Sequence, residues 1–500
     1  MDLSKKKMAP AKRTDSPLID RFRHARVAVI GDVMLDVHIV GQVNRISADA
    51  PVPVLLVQSE RHALGGAANV AANIAALGGN ALLIGLIGDD PAGHQLVEAL
   101  AAAEGRIEQR FVSVQGRPTI TKTRYLSGQH QIVRVDRERV EPPPKAAHDA
   151  LIEEIEDAVA TCDVVVLSDY GKGVLTDAVL AATFAAAKKS KRTVIVDPKR
   201  MNFAEYRGAS IITPNRKELT TAVGLPCETD AQAEIAAKAA MDASGAAILL
   251  TRSEKGMTLY RDGQPNIHLP AEAREVFDVS GAGDTVVAGL ALSLAAHLPH
   301  EQGVRVANAA AAVVVGKVGT ATVSPHELSV AMRSQSRSGA EAQTPDEAVT
   351  PIGKALAQRD KWRAEGLVVG FTNGCFDLLH AGHVSLLSQS AAACDRLIVA
   401  LNSDASVRRL KGPTRPVQAL ESRAAVMSGL KGVDMVVAFE EDTPLELIRA
   451  LAPDILVKGA DYREDQVVGG DLVKSWGGRI VLAGLTEGQS TTALVARAKS

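Results

Sequence analysis

The strongest constraint on the fold is a rhythm in the middle of the chain. Four short aliphatic runs, 163–167, 193–196, 210–212 and 247–250, each empty into a polar turn carrying Gly or Pro. The turns are Ser168-Asp169-Tyr170-Gly171, Asp197-Pro198-Lys199, Thr213-Pro214-Asn215 and Thr251-Arg252-Ser253 with Gly256. Runs without polar alternation are buried on both faces, which is the mark of parallel strands covered by helices. The expected fold class is therefore α/β, a doubly wound parallel sheet. In such a sheet the polar exits share one edge, and ligands bind along that edge.

Upstream, 26–30 reads as a first buried strand whose exit carries Asp32 and Asp36. The segment 52–57 alternates Val and Pro, which confines it to a sheet edge. In 119–135, Thr, Lys and Arg alternate with apolar residues, as in a half-exposed sheet. Together these segments predict a β lid standing off the main sheet. Between them, Gly65-Gly66-Ala-Ala-Asn69 runs into an alanine-rich stretch with Asn73 one helical turn on. Small residues there admit either a ligand or a tightly packed neighbouring helix.

Asp278-Val-Ser-Gly-Ala-Gly-Asp284 lies just before the apolar run 285–290. Small residues opening a helix leave backbone N–H groups free for an anion. A carboxylate placed there opposes that anion, so Asp284 needs a reason, and general-base work on an attacking hydroxyl supplies one. An acid-capped glycine loop has the same pattern.

Residues 331–350 are polar, small and Pro-bearing and read as a linker, followed by a helical lead-in near 351–365. The α/β rhythm then restarts at 367–371, with further strands at 396–401, 435–439, 455–457 and 480–483. The expected division is 1–340, a linker with its lead-in helix over 341–370, and a smaller domain over 371–500. At 500 residues, more than one domain is required.

A net charge of −2 gives no electrostatic case for nucleic acid or an anionic membrane as partner. No apolar run has the length of a membrane span, and the basic N-terminus lacks the apolar core of a secretory signal. Cys162, Cys227, Cys375 and Cys394 are scattered in no metal-binding spacing, as in a reduced cytoplasmic protein. No metal site is expected from side chains alone.

The first half has no Walker-type loop. Its Gly-Gly-x-x-Asn and Gly-Ala-Gly-Asp segments, in that order over residues 25–331, resemble the ribokinase-like, pfkB-type sugar kinases. That resemblance implies a three-layer α/β domain with a β lid. It implies Asp284 as the base, and the amides of Gly281, Ala282 and Gly283 as the hole for the transferring phosphoryl. It further implies Asp32, Gly65, Gly66 and Asn69 as sugar contacts, with Asp36 a weaker candidate. Asn215 and Glu218, with Arg216 and Lys217 between them, match the family's segment near the nucleotide phosphates and Mg²⁺. Thr251 to Gly256 resembles its nucleotide-binding turn. Asn215 and Glu218 equally fit a helix capping box. Arg117, Lys122 and Arg124 on the lid suit a second, non-reacting phosphate on the substrate or a solvated sheet face.

In the second half, Thr372-Asn373-Gly374-Cys375-Phe376-Asp377 precedes His380-Ala381-Gly382-His383. Two imidazoles three residues apart at a helix start can face one point, and Gly382 leaves room for a phosphate. The run resembles the cytidylyltransferase-like nucleotidyltransferases, a Rossmann-like fold. It implies that His380 and His383 act at the α-phosphate, with Thr372, Asn373, Gly374, Phe376 and Gly382 against the nucleotide. Ser490 and Thr491 resemble the second phosphate turn, although Thr492 stands where relatives often carry a basic residue. Lys411, Arg415 and Lys458 fit phosphate contacts or surface charge, and Asp377 orients the motif or caps the helix.

Kinase followed by nucleotidyltransferase resembles the bifunctional heptose 7-phosphate kinase/heptose 1-phosphate adenylyltransferases of Gram-negative bacteria. The resemblance implies ATP with Mg²⁺, sugar-phosphate substrates, and a homodimer through the lid. Another sugar phosphate, CTP in place of ATP, or a second domain that only binds nucleotide all remain open at this point.

Overall fold

The computed structural model describes residues 17–101, 105–128, 130–271, 276–317, 319–338, 348–364, 367–430, 432–459 and 463–484. The chain divides into two compact units at Gln335/Ser336.

The first unit is built on a nine-stranded sheet. In spatial order its strands are Ile267–Leu269, Met257–Tyr260, Ala247–Thr251, Ile211–Ile212, Thr193–Asp197, Val164–Ser168, Arg26–Gly31, Asn80–Gly88 and Ile107–Val114. All pairings are parallel except the two at the Ile267 edge. The unbroken aliphatic runs have the cause inferred above: Val164–Ser168 is buried at every position, between one helical layer on each face. One face packs on helices Ala67–Ala76, Ala282–Ala295 and His300–Val314, and the other on Lys145–Thr161, Asp177–Ser190 and Asp230–Ser244. Helix starts follow capping chemistry. Thr176 accepts from the Val179 N–H, and Thr229 forms a reciprocal box with Gln232.

The lid is a second sheet of four strands, ordered Pro53–Gly66, Val33–Ile46, Ile120–Ser127 and His130–Arg137. The prolines do mark an edge. The acids after the first strand, however, do not sit on a simple exit turn. Val33–Ile46 is itself a 14-residue lid strand, and Asp36 lies inside it. Gly65 and Gly66 end the edge strand rather than forming a separate loop. Gly66 has φ +56°, and a Cβ there would come 2.3 Å from the Asp32 carbonyl, so only glycine turns the chain into the helix that carries Asn69.

Residues 331–338 depart from the linker expected there. They complete the helix Pro325–Ser338, whose first turn is closed by Ser324 and Glu327.

The second unit is a five-stranded parallel sheet, ordered Met435–Phe439, Arg396–Asn402, Val369–Gly374, Ile455–Gly459 and Arg479–Ala483. The lead-in helix Ile352–Ala364 is part of this unit's core. Ala355 and Trp362 pack with Phe371, Ile448 and Leu456, and Arg359 donates to the Leu451 carbonyl at 2.5 Å.

Candidate active sites

In the first unit the parallel strands deliver their polar turns to one edge, and helix Ala282–Ala295 begins there. Gly281, at φ +76°, is its N-cap residue, and Asp284 falls in the first turn, only 6% exposed. Both carboxylate oxygens are held: Tyr170 Oη donates to Oδ1 at 2.5 Å, and Asn69 Nδ2 donates to Oδ2 at 2.7 Å. Asn73 donates to the side-chain and backbone oxygens of Asn69, and Thr285 donates to Asn73 Oδ1. Burial raises the Asp284 carboxyl to about 6, against the two hydrogen bonds that lower it. A base poised there is ionised at neutral pH yet retains proton affinity. The anion hole is less open than its three amides suggest, because Ala282 N–H already reaches the Val279 carbonyl at 3.2 Å. At Gly283 a side chain would meet nothing within 4 Å, so that end faces open space.

Asp32, just before the lid strand Val33–Ile46, and Asp36, within it, exchange the roles expected of them. Asp32 is fully buried and accepts the N–H groups of Tyr170, Lys172 and Val174. Burial pushes its carboxyl up, and the backbone donors oppose this. It shapes the turn that presents Tyr170 and does not face the cleft. Asp36 is the acid beside Gly65, paired with Arg124 at 2.9 Å. Arg117 is also corrected. It is buried between lid and sheet, with its guanidinium on the carbonyls of Arg139, Glu141 and Lys172. A cation so engaged is a clamp on three chain segments, neither a phosphate contact nor a solvated face.

Tyr170 and Asp197 are the functional candidates the sequence did not single out. Tyr170 was legible only as part of a strand exit. Burial holds its phenol well above the usual value, so it stays a neutral donor. Burial, then the nearby Asp284 and Glu218, hold the Asp197 carboxyl well above the usual range. On the nucleotide side, Asn215 and Glu218 do form the reciprocal capping box, at 2.9 and 3.0 Å. Asn215 also bridges to Thr251. Lys217 is exposed, while Arg216 pairs with Glu228 and Glu254. Gly256, at φ +77°, has a structural cause: a Cβ would stand 2.0 Å from the Leu269 carbonyl.

In the second unit, Val369–Gly374 delivers Thr372, Asn373 and Gly374 to the carboxyl edge of the sheet, and helix Ala381–Ala393 starts just beyond with His380 as its N-cap residue. The two imidazoles stack, ring centres 3.8 Å apart, with the Phe376 ring 5.1 Å from His383. Burial, then the neighbouring His380, lower His383 to about 4, and burial lowers His380 too. Both rings are neutral at physiological pH. Thr372 Oγ1, Asn373 Oδ1 and His380 Nδ1 are buried without a hydrogen-bond partner among the described residues, whereas the His383 ring has the Leu378 backbone within reach. Unpaired buried polar atoms are rare, and three on one motif mark a place completed by a polar ligand.

Asn373, Gly374, Cys375, Phe376, Asp377, His383, Leu386, Lys411 and Arg415 line the adjoining cavity of about 190 Å³. Asp377 does not cap the helix. It accepts from Arg415 at 2.5 Å and from the Val417 and Gln418 N–H groups, fixing the loop that carries Lys411 and Arg415 to the motif. Lys458 Nζ reaches the Asn373 carbonyl at 3.3 Å. Arg423, 1% exposed, clamps the same turn through the Cys375, Asn402 and Gln418 carbonyls and Asp404, a role no sequence signal announced. Ser490, Thr491 and Thr492 lie outside the described residues.

Comparison with known proteins agrees with both geometries. The pfkB family carbohydrate kinase model matches residues 24–327, and the cytidylyltransferase-like model matches 371–481. Among solved structures, an Arabidopsis thaliana ribokinase complexed with ribose and ATP covers 62% of this chain and 98% of its own, with TM-score 0.51 and 22% identity. Phosphofructokinase-2 from Escherichia coli covers 63% and 99%, with TM-score 0.53 and 21% identity. At such identities the likeness is one of fold. The curated relatives reach further. The bifunctional protein HldE of Azorhizobium caulinodans is 56% identical over 95% of this chain and 98% of its own. That of Caulobacter vibrioides is 54% identical over 96% and 98%. The chain thus belongs to the HldE family of bifunctional enzymes, a pfkB-type sugar kinase and a cytidylyltransferase-like nucleotidyltransferase in one polypeptide.

Proposed function

We propose that the first unit phosphorylates the anomeric hydroxyl of heptose 7-phosphate with ATP, giving the 1,7-bisphosphate, and that the second transfers an adenylyl group from ATP to heptose 1-phosphate, giving ADP-heptose and pyrophosphate. The observation that carries the first step is Asp284, a buried carboxylate at a helix start with both oxygens fixed. Asp284 accepts the hydroxyl proton as that oxygen attacks the γ-phosphorus, and the bond to the ADP oxygen breaks. The helix start at Gly281 to Gly283 receives the charge on the transferring group. Asp36, Gly65, Gly66 and Asn69 border the sugar, and Asn215 to Glu218 with Thr251 to Gly256 border the nucleotide.

In the second step a phosphate oxygen of the sugar 1-phosphate attacks the α-phosphorus, and pyrophosphate leaves with no covalent enzyme intermediate. Neutral His380 and His383 donate hydrogen bonds to the α-phosphate oxygens, and Lys411 and Arg415 stand to the charged leaving group. The phosphate at the seventh carbon must be removed between the steps, so a phosphatase acts on the intermediate.

Mg²⁺ fits the first site as a companion of ATP. Among the described residues no three metal-donor side chains converge. Mg²⁺ usually takes one or two carboxylates and completes its shell with phosphates and water. Asp197 and Glu218, close enough to repel one another, are the carboxylates that would stand to it. Bound there, the ion would neutralise charge on the triphosphate. A homodimer through the lid fits Ile46, Leu56, Val57, Ile132, Val133 and Val135, exposed apolar residues all on lid strands. No helix among the described residues is long and apolar enough to cross a membrane. We place the enzyme in the cytoplasm, where ATP is supplied.

The test is to assay each half-reaction separately, with ATP and with CTP. Asp284→Asn should abolish sugar phosphorylation and spare adenylyl transfer to supplied heptose 1-phosphate, and His383→Ala should do the reverse. Loss of both activities in either folded variant would sink the two-site reading.

A further inference from the structure

The turn that joins strand Val369–Gly374 to the histidine helix holds one residue in an unusual backbone conformation. Phe376 has φ +42°, in the left-handed region, which a bulky side chain rarely enters. Such a residue stays there only where its surroundings leave it no alternative. Here both flanks are fixed. The Cys375 carbonyl, in the peptide that enters Phe376, accepts from Arg423 Nη1 at 2.7 Å. Asp377, on the other flank, is held by Arg415 and by the Val417 and Gln418 N–H groups. Arg423 is itself anchored. Its side chain is fully buried and donates to the Gln418 carbonyl, the Asn402 carbonyl and the Asp404 carboxylate at 3.1, 2.9 and 2.6 Å. Asn402 ends the neighbouring strand Arg396–Asn402, so the guanidinium fixes the Cys375 carbonyl against the frame of the sheet. A lysine ammonium cannot reproduce that planar fork.

What the strained turn sets is the direction of the phenyl ring. Gly374 admits it, since a Cβ there would stand 2.9 Å from Phe376 Cε2. The ring is buried, with its centre 5.1 Å from that of the His383 imidazole and the two planes 56° apart. His383 stacks in turn on His380, with the planes 22° apart, and has the Leu378 backbone within reach. Phe376 is thus one of three neighbours that decide the tilt of the His383 ring, and its own direction follows from the Arg423 clamp.

We propose that Phe376, held in its left-handed conformation by Arg423, is a positioning residue for adenylyl transfer, its ring fixing the tilt at which the His383 imidazole meets the α-phosphate. The inference rests on the adenylyltransferase reading above. Charge grows on the α-phosphate oxygens as the sugar phosphate attacks, and a donor stabilises that charge fully only when it is already aimed. Binding of the triphosphate in the ground state draws on Lys411 and Arg415 as well, so a slack imidazole costs rate before it costs affinity. A ring that only filled the core would cost stability and leave kcat of the folded enzyme intact.

The experiment measures kcat and KM for pyrophosphate release from ATP and heptose 1-phosphate by the full-length enzyme, with sugar phosphorylation by the same samples as the reference. Phe376→Leu should lower kcat about tenfold with KM for ATP unchanged. Phe376→Met, which fills the space without an aromatic ring, gives the same reading if the leucine variant does not fold. Arg423→Lys should show the same split. The double variant should lose no more kcat than Phe376→Leu alone, because both changes act through one ring. Unchanged kcat in the Phe376 variants, or a loss confined to KM, would overturn the proposal. Losses that multiply in the double variant would remove Arg423 from it. Full adenylyl transfer by His383→Ala would instead remove the reading beneath it.

Discussion

Tyr170 donates its phenol to Asp284 at 2.5 Å across 114 residues of sequence. Asp32 makes that bond possible by gathering the backbone N–H groups of Tyr170, Lys172 and Val174, and so fixing the turn on which the phenol stands.

The kinase reaction should therefore show an acid limb with a midpoint near pH 6, where Asp284 loses its proton. The Tyr170 bond favours the charged carboxylate, so removing it raises the pKa. Tyr170→Phe should move the midpoint up by about one pH unit, which corresponds to ~1.4 kcal/mol. A pH profile of kcat/KM checks this, and an unmoved limb with a lower plateau would show that the phenol only packs.

Asn69→Ala removes the donor to Asp284 Oδ2 and a partner of Asn73, both deeply buried. The expected loss is about 1–3 kcal/mol of stability in the first unit, together with most of the kinase rate. Adenylyl transfer should be unchanged. Thermal denaturation and the two separate assays read these effects.

His383 links the second unit's stability to pH. Its folded pKa of about 4 lies below the ordinary value of 6.5, so the unfolded chain binds the extra proton. The stability is fully present above about pH 6.5 and is lost as pH falls towards 4, by at most about 1–3 kcal/mol for a partly exposed ring. Both tryptophans, Trp362 and Trp476, belong to this unit, so tryptophan fluorescence follows its unfolding alone. Urea midpoints should fall across that pH window, and less so in His383→Gln.

Asp377→Ala leaves Arg415 without its carboxylate and the Val417 and Gln418 N–H groups without their acceptor. Breaking a buried pair from one side costs about 3–5 kcal/mol, and the loosened loop should raise KM for ATP in adenylyl transfer. Asp377→Asn keeps an acceptor oxygen and should lie between the two. Equal KM values in all three would show that the loop does not meet the nucleotide.

Gly256→Ala should destabilise the first unit by about 1–3 kcal/mol or more. Its φ is +77°, and the new methyl would start 2.0 Å from the Leu269 carbonyl. Far-UV circular dichroism against denaturant measures the change.

Much of the architecture was legible because each unit's sheet is parallel. Such strands must be aliphatic throughout, and Val164–Ser168 or Ile455–Gly459 announces itself in composition alone. Val33–Ile46 escaped because it leaves the core midway. Its first half is buried and its second exposed, so no single period runs through it. The end of helix Pro325–Ser338 escaped for a related reason: its polar last turns carry no apolar stripe.

At the sites, the sequence by itself determined the local chemistry. Gly281 to Asp284 fitted a helix start with an acid in its first turn, and the spacing of His380 and His383 let them face one point at another, because three- and four-residue spacings are fixed by the helical repeat. Only the tertiary structure decided which charged groups are free. Asp32 and Arg117 looked like ligands for a substrate and proved to be ligands for the backbone, whereas Asp36 pairs with Arg124 and Lys122 lies over the Tyr170 ring. The physical reason is that a charge takes the partners that long-range packing brings to it. Asp32 lies 138 residues from Tyr170, and no local pattern in the chain encodes that meeting.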